Sequence, residues 1–260
     1  MRTTARKLPT LLFPLCVLAL AATGPAQEEQ ARGDDATLAP ETIMLKMARA
    51  YRTCRSYRDS GEVRTTLLIK DGRAGNDRPF RTAFVRPDRL RFQFTETGLG
   101  ERSTTYIVWT EGTEVRSWWD GQPGVRNAGS LQAALGVAAA PSGGSSTRVP
   151  GLLLPRSVGE GPIVIAAERL QDSSDRGVSC YRIRGKGQKT PYTLTQGTQT
   201  LTVQDESITL WIDRTTLLLR KVEDRKTFET YDSESITTYS PEVDVEIPPE
   251  QLTFKPPQTP

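Results

Sequence analysis

Apolar and polar residues alternate across the segment Phe84 to Phe94, which reads FVRPDRLRFQF. Leu90, Phe92 and Phe94 occupy every second position, and polar residues lie between them. This period of two is typical of a β-strand. The preceding residues 80–84 alternate in the same way. The pattern therefore predicts two strands, 80–86 and 89–96, which share one apolar face that must be buried.

Periodicity also divides the rest of the chain into elements. Ile43, Met47 and Tyr51 recur at helical spacing and predict an amphipathic helix over 40–56. Alternating runs predict strands at 57–70, 104–110, 114–120, 163–171, 178–185, 236–239 and 243–247, and a strand–turn–strand unit over 207–225. Short connections favour antiparallel neighbours. A permanent β-sandwich core is one interpretation of these aromatic strands, and a binding surface is the other.

Residues 121–162 interrupt the run of strands. Their composition predicts short helices at about 130–139 and 146–154, separated by a Gly/Ser link. Leu152, Leu153 and Leu154 are consecutive and cannot all point the same way, so we expect an apolar surface to receive most of them.

The first 26 residues have the layout of a secretory signal peptide. A basic start (Arg2, Arg6, Lys7) precedes the apolar run 8–22 and a small-residue exit, with cleavage predicted before Gln27. Lipidation at Cys16 is the alternative, but Leu15 occupies the place of the small residue expected there. We expect a periplasmic protein with a disordered segment at 27–38 and a single domain at 39–260.

Charge and cysteine content narrow the function. The three basic residues of the predicted signal peptide account for the whole formal charge of +3, so nucleic-acid binding is not expected. Two cysteines remain, Cys54 and Cys180. An even pair in an exported protein predicts a disulfide, with two buried free thiols as the alternative.

The chain contains no histidine, which excludes His-dependent triads and the commonest zinc and iron ligand sets. A carboxylate-only metal site and a carboxylate-pair hydrolase stay open. The acids at 205–206, 223–224 and 232–234 lie among basic residues and are interpreted as a solvated face. No enzyme motif has its required spacing, so we expect neither catalysis nor a cofactor.

Four motifs resemble those of the periplasmic carriers and insertion proteins of outer-membrane lipoproteins, the LolA/LolB-like superfamily. They are VRPDRLRFQF (85–94), VWTEGTEVRSWW (108–119), LWIDRTTLLLRKVE (210–223) and VDVEIPPEQLTF (243–254). The resemblance implies a mainly β fold: a curved, open antiparallel half-barrel with helices over its concave apolar face. It also implies that Arg86, before Pro87, latches a helical lid through hydrogen bonds.

On this basis we expect a monomeric carrier that binds the acyl chains of a lipid or lipoprotein and exchanges them with membrane-bound donor and acceptor proteins. The lipid-binding residues would be Phe84, Leu90, Phe92, Phe94, Leu152, Leu153 and Leu154. The alternative is an envelope sensor or interaction module on the same fold, which binds lipid or a partner protein without transferring it.

Overall fold

Alternating side chains along thirteen strands build one open antiparallel sheet, with β13 and β9 pairing beside its main path. The computed structural model describes residues 38–70, 72–97, 103–122, 124–159, 161–196 and 199–257. The predicted signal peptide, Cys16 and residues 27–37 lie outside the described residues. The expectation of a mainly β, open half-barrel type of sheet is confirmed, and the two-sheet sandwich is wrong.

The main path runs in the order β6-β5-β4-β3-β2-β1-β12-β11-β10-β8-β7, and every pairing within it is antiparallel. The strands are β1 Ser56–Ile69, β2 Gly72–Val85, β3 Arg89–Thr97, β4 Ser103–Glu111, β5 Glu114–Trp119, β6 Val125–Asn127, β7 Ile165–Asp175, β8 Val178–Lys186, β9 Tyr192–Gln196, β10 Gln199–Asp213, β11 Leu219–Phe228, β12 Asp232–Thr238 and β13 Glu242–Val243.

Helices supply the rest of the regular structure. They are α1 Pro40–Thr53, α2 Leu131–Val137, α3 Ser145–Leu153, α4 Pro155–Val158 and a 3-10 turn at Pro249–Gln251. The helix predicted over 40–56 ends at Thr53, because Cys54 has extended backbone angles and leads directly into β1. In the described part of the chain, the helices are too short or too polar to cross a membrane.

Strand register fixes which residues share a face of the sheet. Phe80 pairs with Phe94, Thr82 with Phe92, and Phe84 with Leu90. We call the face that bears these residues the inner face and the opposite one the outer face. The helices α1, α2 and α3 lie against the inner face, where hydrogen bonds join them to the strands, and α4 packs on α2 and α3.

One glycine on β1 lets two distant strands meet across this face. A methyl group at Gly61 would overlap the Phe80 ring and the carbonyl oxygen of Thr238. Because that space is free, the Phe80 ring extends over β1 to the Tyr239 ring beyond the end of β12, with 5.5 Å between the ring centroids. The aromatic strands and the later strands therefore share one core.

Candidate functional site

The apolar residues predicted to bind lipid lie together on the inner face and are buried. Phe84, Leu90 and Phe92 are fully buried, and Phe94 has 2% of its surface exposed. The rings of Phe92 and Phe94 belong to a chain of aromatic contacts that runs from Phe80 to Tyr106. Period-two alternation on β2 and β3 thus produces one continuous aromatic surface.

Residues 131–158, which contain α2, α3 and α4, are named here the cover segment. Its leucines pack inward: Leu135 and Leu153 are fully buried, and Leu152 and Leu154 are 9% and 8% exposed. The three consecutive leucines predicted to need an apolar surface therefore have one. The cover segment also accepts a hydrogen bond at Ala134 O from the Tyr106 hydroxyl, at 3.0 Å.

Arg86 lies where β2 ends, and its guanidinium donates to carbonyls of two different helices. Nε donates to Cys54 O at 2.8 Å, and Nη2 donates to Tyr51 O at 2.9 Å, both at the end of α1. Nη2 also donates to Leu153 O of α3 at 3.3 Å. A planar guanidinium with fixed donors suits this arrangement, because one side chain can satisfy several C-terminal helix carbonyls at once.

A second arginine, which lies on the cover segment itself, joins that segment to the sheet. Arg148 of α3 donates through Nη2 to Asp224 Oδ2 at 3.1 Å and through Nη1 to Thr237 Oγ1 at 3.2 Å. The side chains of Arg148 and Asp224 are only 12% and 9% exposed. Lys226 also holds Asp224, with Nζ 2.6 Å from each carboxylate oxygen. Asp224 therefore has two cationic partners, one on the cover segment and one on its own strand.

The acids that the sequence analysis interpreted as solvated are partly internal, which corrects that interpretation. Glu206 and Asp224 are 4% and 7% exposed, since they share the inward-facing positions of β10 and β11 with Ile208 and Val222. Burial opposes ionisation of Glu206, but the charge of Lys226 at 3.1 Å holds the pKa of Glu206 below its usual value. These acids belong to internal ion pairs.

A buried carboxylate lies beneath α1. Asp59 is 5% exposed and accepts a hydrogen bond at Oδ1 from the backbone N–H of Ser240 at 2.7 Å. Burial raises the pKa of Asp59 to about 6, against the lowering effect of this bond. Tyr51 of α1 accepts a bond at its hydroxyl from the N–H of Leu219 at 3.0 Å, which ties the helix to β11.

The predicted disulfide is not formed: Cys54 and Cys180 are both buried free thiols. Each sulfur has a local carbonyl acceptor, Tyr51 O at 3.2 Å for Cys54 and Val178 O at 3.4 Å for Cys180. Cys54 caps α1 beside Arg86, whereas Cys180 lies on β8 opposite Asp213. Burial raises the pKa of both thiols, as expected for unreactive core cysteines.

The sequence analysis predicted Arg86 and the leucines of the cover segment, but not Arg148, Asp224 or Asp59. Alternation along β11 was the available signal, because Asp224 falls in phase with the buried Val222. In the part of the chain that the structure describes, no cluster of three or more acids and cysteines has the proximity that a metal site requires. The arrangement places a continuous aromatic surface on the same face of the sheet as a helical cover.

Comparisons with known proteins give likenesses of fold only. No protein-family model matches the sequence, and no curated protein matches it. Among solved structures, LprF from Mycobacterium bovis is similar at a TM-score of 0.40, with 12% identity over 80% of this chain and 94% of that chain. LppX from Mycobacterium tuberculosis has a TM-score of 0.39 and 13% identity, over 81% of this chain and 99% of that chain.

A LolA superfamily protein from Nitrosomonas europaea is also similar, at a TM-score of 0.32 and 13% identity, over 84% of this chain and 99% of that chain. This solved structure bears the name of the superfamily that the sequence motifs resemble.

Proposed function

We propose that this protein is an exported, non-catalytic carrier that shields the acyl chains of a lipid or lipoprotein between the inner face and the cover segment. The observation that carries the proposal is the position of Arg86, which bonds both α1 and α3 beside the buried phenylalanines. A guanidinium that bridges two separate helices over an apolar surface is a latch between parts that can separate.

We infer from the lengths of the three Arg86 hydrogen bonds that the cover segment is the part that moves. The two bonds to α1 are 2.8 and 2.9 Å, and the bond to Leu153 is 3.3 Å. When the cover segment leaves, Arg86 gives up only its longest bond and keeps α1 attached to the sheet. The exposed Leu153 carbonyl then bonds to water, and the net free-energy change is about 1.5–3 kcal/mol per charge-assisted bond.

Acyl chains can replace the apolar burial that the leucines of the cover segment contribute. Each methylene removed from water contributes about 0.8 kcal/mol, so a long chain laid against Phe84, Leu90, Phe92 and Phe94 recovers the burial that leucine side chains supply in the closed state. The leucines of the cover segment and the acyl chain compete for the same apolar surface of the sheet. This competition allows both uptake and release of the acyl chain.

A disulfide that locks the cover segment tests the proposal. An added Cβ at Gly143 would lie 3.6 Å from Val63 Cβ, within the range that a disulfide spans. In a background with Cys54 and Cys180 replaced by Ala, Gly143→Cys with Val63→Cys should bind a fluorescent fatty acid far more slowly when oxidised. Reduction with dithiothreitol should restore the rate.

Each single cysteine variant is the matched control, because it carries the same strain at Gly143 or the same lost volume at Val63 without the bond. Equal binding rates in the oxidised and reduced double variant would rule out a moving cover segment. Mass spectrometry of gently purified wild-type protein should find bound lipid or acylated peptide. Transfer of that cargo to acceptor vesicles distinguishes a carrier from a sensor that binds without delivery.

A further inference from the structure

A cavity of about 470 Å³ lies on the outer face, opposite the cover segment. Its floor is formed by β1, β2 and β3, and its wall by the chain at 240–251. Such a volume is in the range of small-molecule sites. The charged residues that line it are three arginines and three acids: Arg58, Arg81, Arg91, Asp59, Glu242 and Glu250; Gln93 is among the neutral polar ones.

Strand register gathers the three arginines around one small residue. Arg58, Ala83 and Arg91 stand opposite one another on β1, β2 and β3. Arg81 lies two residues before Ala83 on β2, diagonally opposite Arg91, at a spacing within reach of long side chains. The methyl group of Ala83 leaves the space between the guanidinium groups open.

Arg91 lies close to cationic and neutral groups, and its hydrogen-bond partners are uncharged. Its Nη1 donates to the carbonyls of Glu250 and Thr253 at 3.2 and 2.7 Å, and Nη2 donates to the Gln93 side chain at 2.7 Å. Its Nε is buried and makes no hydrogen bond within the described residues. Burial, and next the positive charge of Arg81, lower the pKa of Arg91.

The carboxylates that line the cavity do not neutralise both of the remaining arginines. Glu242 is engaged by Arg58, which donates to it through Nε and Nη2 at 2.9 and 2.6 Å. Arg81 is exposed and, in the described portion of the chain, has neither an ion pair nor a hydrogen bond. Of the other two acids that line the cavity, Asp59 is 5% exposed and accepts a hydrogen bond from the backbone N–H of Ser240, which leaves Glu250 for Arg81 and Arg91.

We propose that the outer cavity binds a phosphate group through Arg81 and Arg91, with Ala83 as the floor. Arg81 presents forked donors that match phosphate oxygens, Arg91 adds a second positive charge with part of its donors already engaged, and an anion between them relieves their mutual repulsion. The group can belong to a soluble phosphoester or to a phospholipid headgroup. The site is separated from the inner face by the thickness of the sheet, so the proposal is independent of acyl-chain binding.

Two arms of one experiment separate the sources. Titration calorimetry with inorganic phosphate and glycerol phosphate tests soluble ligands. Flotation with phosphatidylcholine vesicles, with and without phosphatidylglycerol, tests a headgroup. In whichever arm binds, Arg81→Gln should weaken binding tenfold or more, at about the strength of a charge-assisted hydrogen bond, and added salt should weaken it further.

Arg81 makes no contact that folding requires, so Arg81→Gln should unfold like wild type. Arg73→Gln is the matched control, since Arg73 is an exposed arginine on the same strand and the same outer face but outside the cavity. Glu250→Gln should strengthen binding severalfold by removing the competing carboxylate. The proposal is overturned if neither arm shows binding, or if Arg81→Gln and Arg73→Gln bind as wild type does.

Discussion

The helix α1 and the cover segment lie over the same face of the sheet, but they are attached to it differently. α1 has two short bonds from Arg86, a bond from β11 to the Tyr51 hydroxyl, and the buried side chains of Ile43 and Met47. The cover segment has buried leucines, the longest Arg86 bond, and the Arg148–Asp224 pair. Under the proposed function, α1 stays in place and the cover segment leaves, and Lys226 then keeps Asp224 paired.

The largest expected effect comes from truncating the ring that fastens α1. Tyr51→Ala should destabilise the protein by about 3–5 kcal/mol, because it removes a buried aromatic ring and leaves the N–H of Leu219 without its acceptor. Leu153→Ala in the cover segment should cost about 2 kcal/mol, the low end for a buried leucine, since this segment can reposition.

Urea denaturation at pH 7 measures both values. The comparison between the two covering parts fails if Leu153→Ala costs as much as Tyr51→Ala. Tyr51→Phe is the control that keeps the ring and removes only the hydroxyl, and it should lose about 1–3 kcal/mol for the unsatisfied N–H.

The carboxylate beneath α1 gives the next largest effect. Asp59 has a folded-state pKa of about 6 against 3.8 for an unperturbed carboxyl, so the folded protein holds this proton more tightly than the unfolded chain does. Below about pH 4 Asp59 is protonated in both the folded and the unfolded state, so its burial costs no stability. As the pH rises to about 6, the free energy of unfolding falls, and the full loss persists at higher pH. Asp59→Asn removes this cost and should raise the free energy of unfolding by about 3 kcal/mol at pH 7.

Unfolding free energies of wild type and Asp59→Asn at several pH values check the sign. The difference between them should grow from pH 4 to pH 6 and then stay constant. A difference that does not vary with pH would mean that Asp59 titrates alike in the folded and unfolded states. Asp205→Asn serves as the control of opposite sign, because Asp205 is an exposed acid on β10 and its hydrogen bond with Lys186 lowers its pKa.

The smallest expected effects on stability and amide exchange distinguish the roles of Arg86 and Arg148. Arg86→Met should raise amide exchange in both the last turn of α1 and the cover segment, at a cost of about 1.5–3 kcal/mol. Arg148→Met should raise exchange in the cover segment alone and cost about 1 kcal/mol, because Lys226 still neutralises Asp224. Hydrogen exchange with mass spectrometry resolves these regions, and identical exchange patterns in the two variants would contradict the assignment.

Local pattern was sufficient for most of the fold. Alternation identified β2 and β3 through their phenylalanines, and helical spacing identified α1, because both signals come from residues near one another in sequence. The role of Arg86 came from a resemblance, not from its own surroundings. Its position beside the C-terminal carbonyls of α1 and α3 agrees with the predicted geometry, and its function as a latch stays a prediction.

What the sequence could not supply depends on contacts between distant residues. The cysteines suggested a disulfide by number alone, but the distances between strands decide whether two sulfurs meet. Arg148 lies in a Gly/Ser-rich segment without periodicity, so nothing marked it as a partner of Asp224. The outer cavity unites β1, β2 and β3 with the chain at 240–251, and only the register of the sheet brings these parts together.

The free space at Gly61 has a consequence for substitution. Most core replacements change volume, and neighbouring side chains adjust to fill or yield space. Gly61→Ala would instead block the path by which Phe80 reaches Tyr239, because the added methyl group meets both the ring and a strand carbonyl. A single methyl group at this position would separate the Phe80 ring from Tyr239 and remove one contact that joins the two halves of the core.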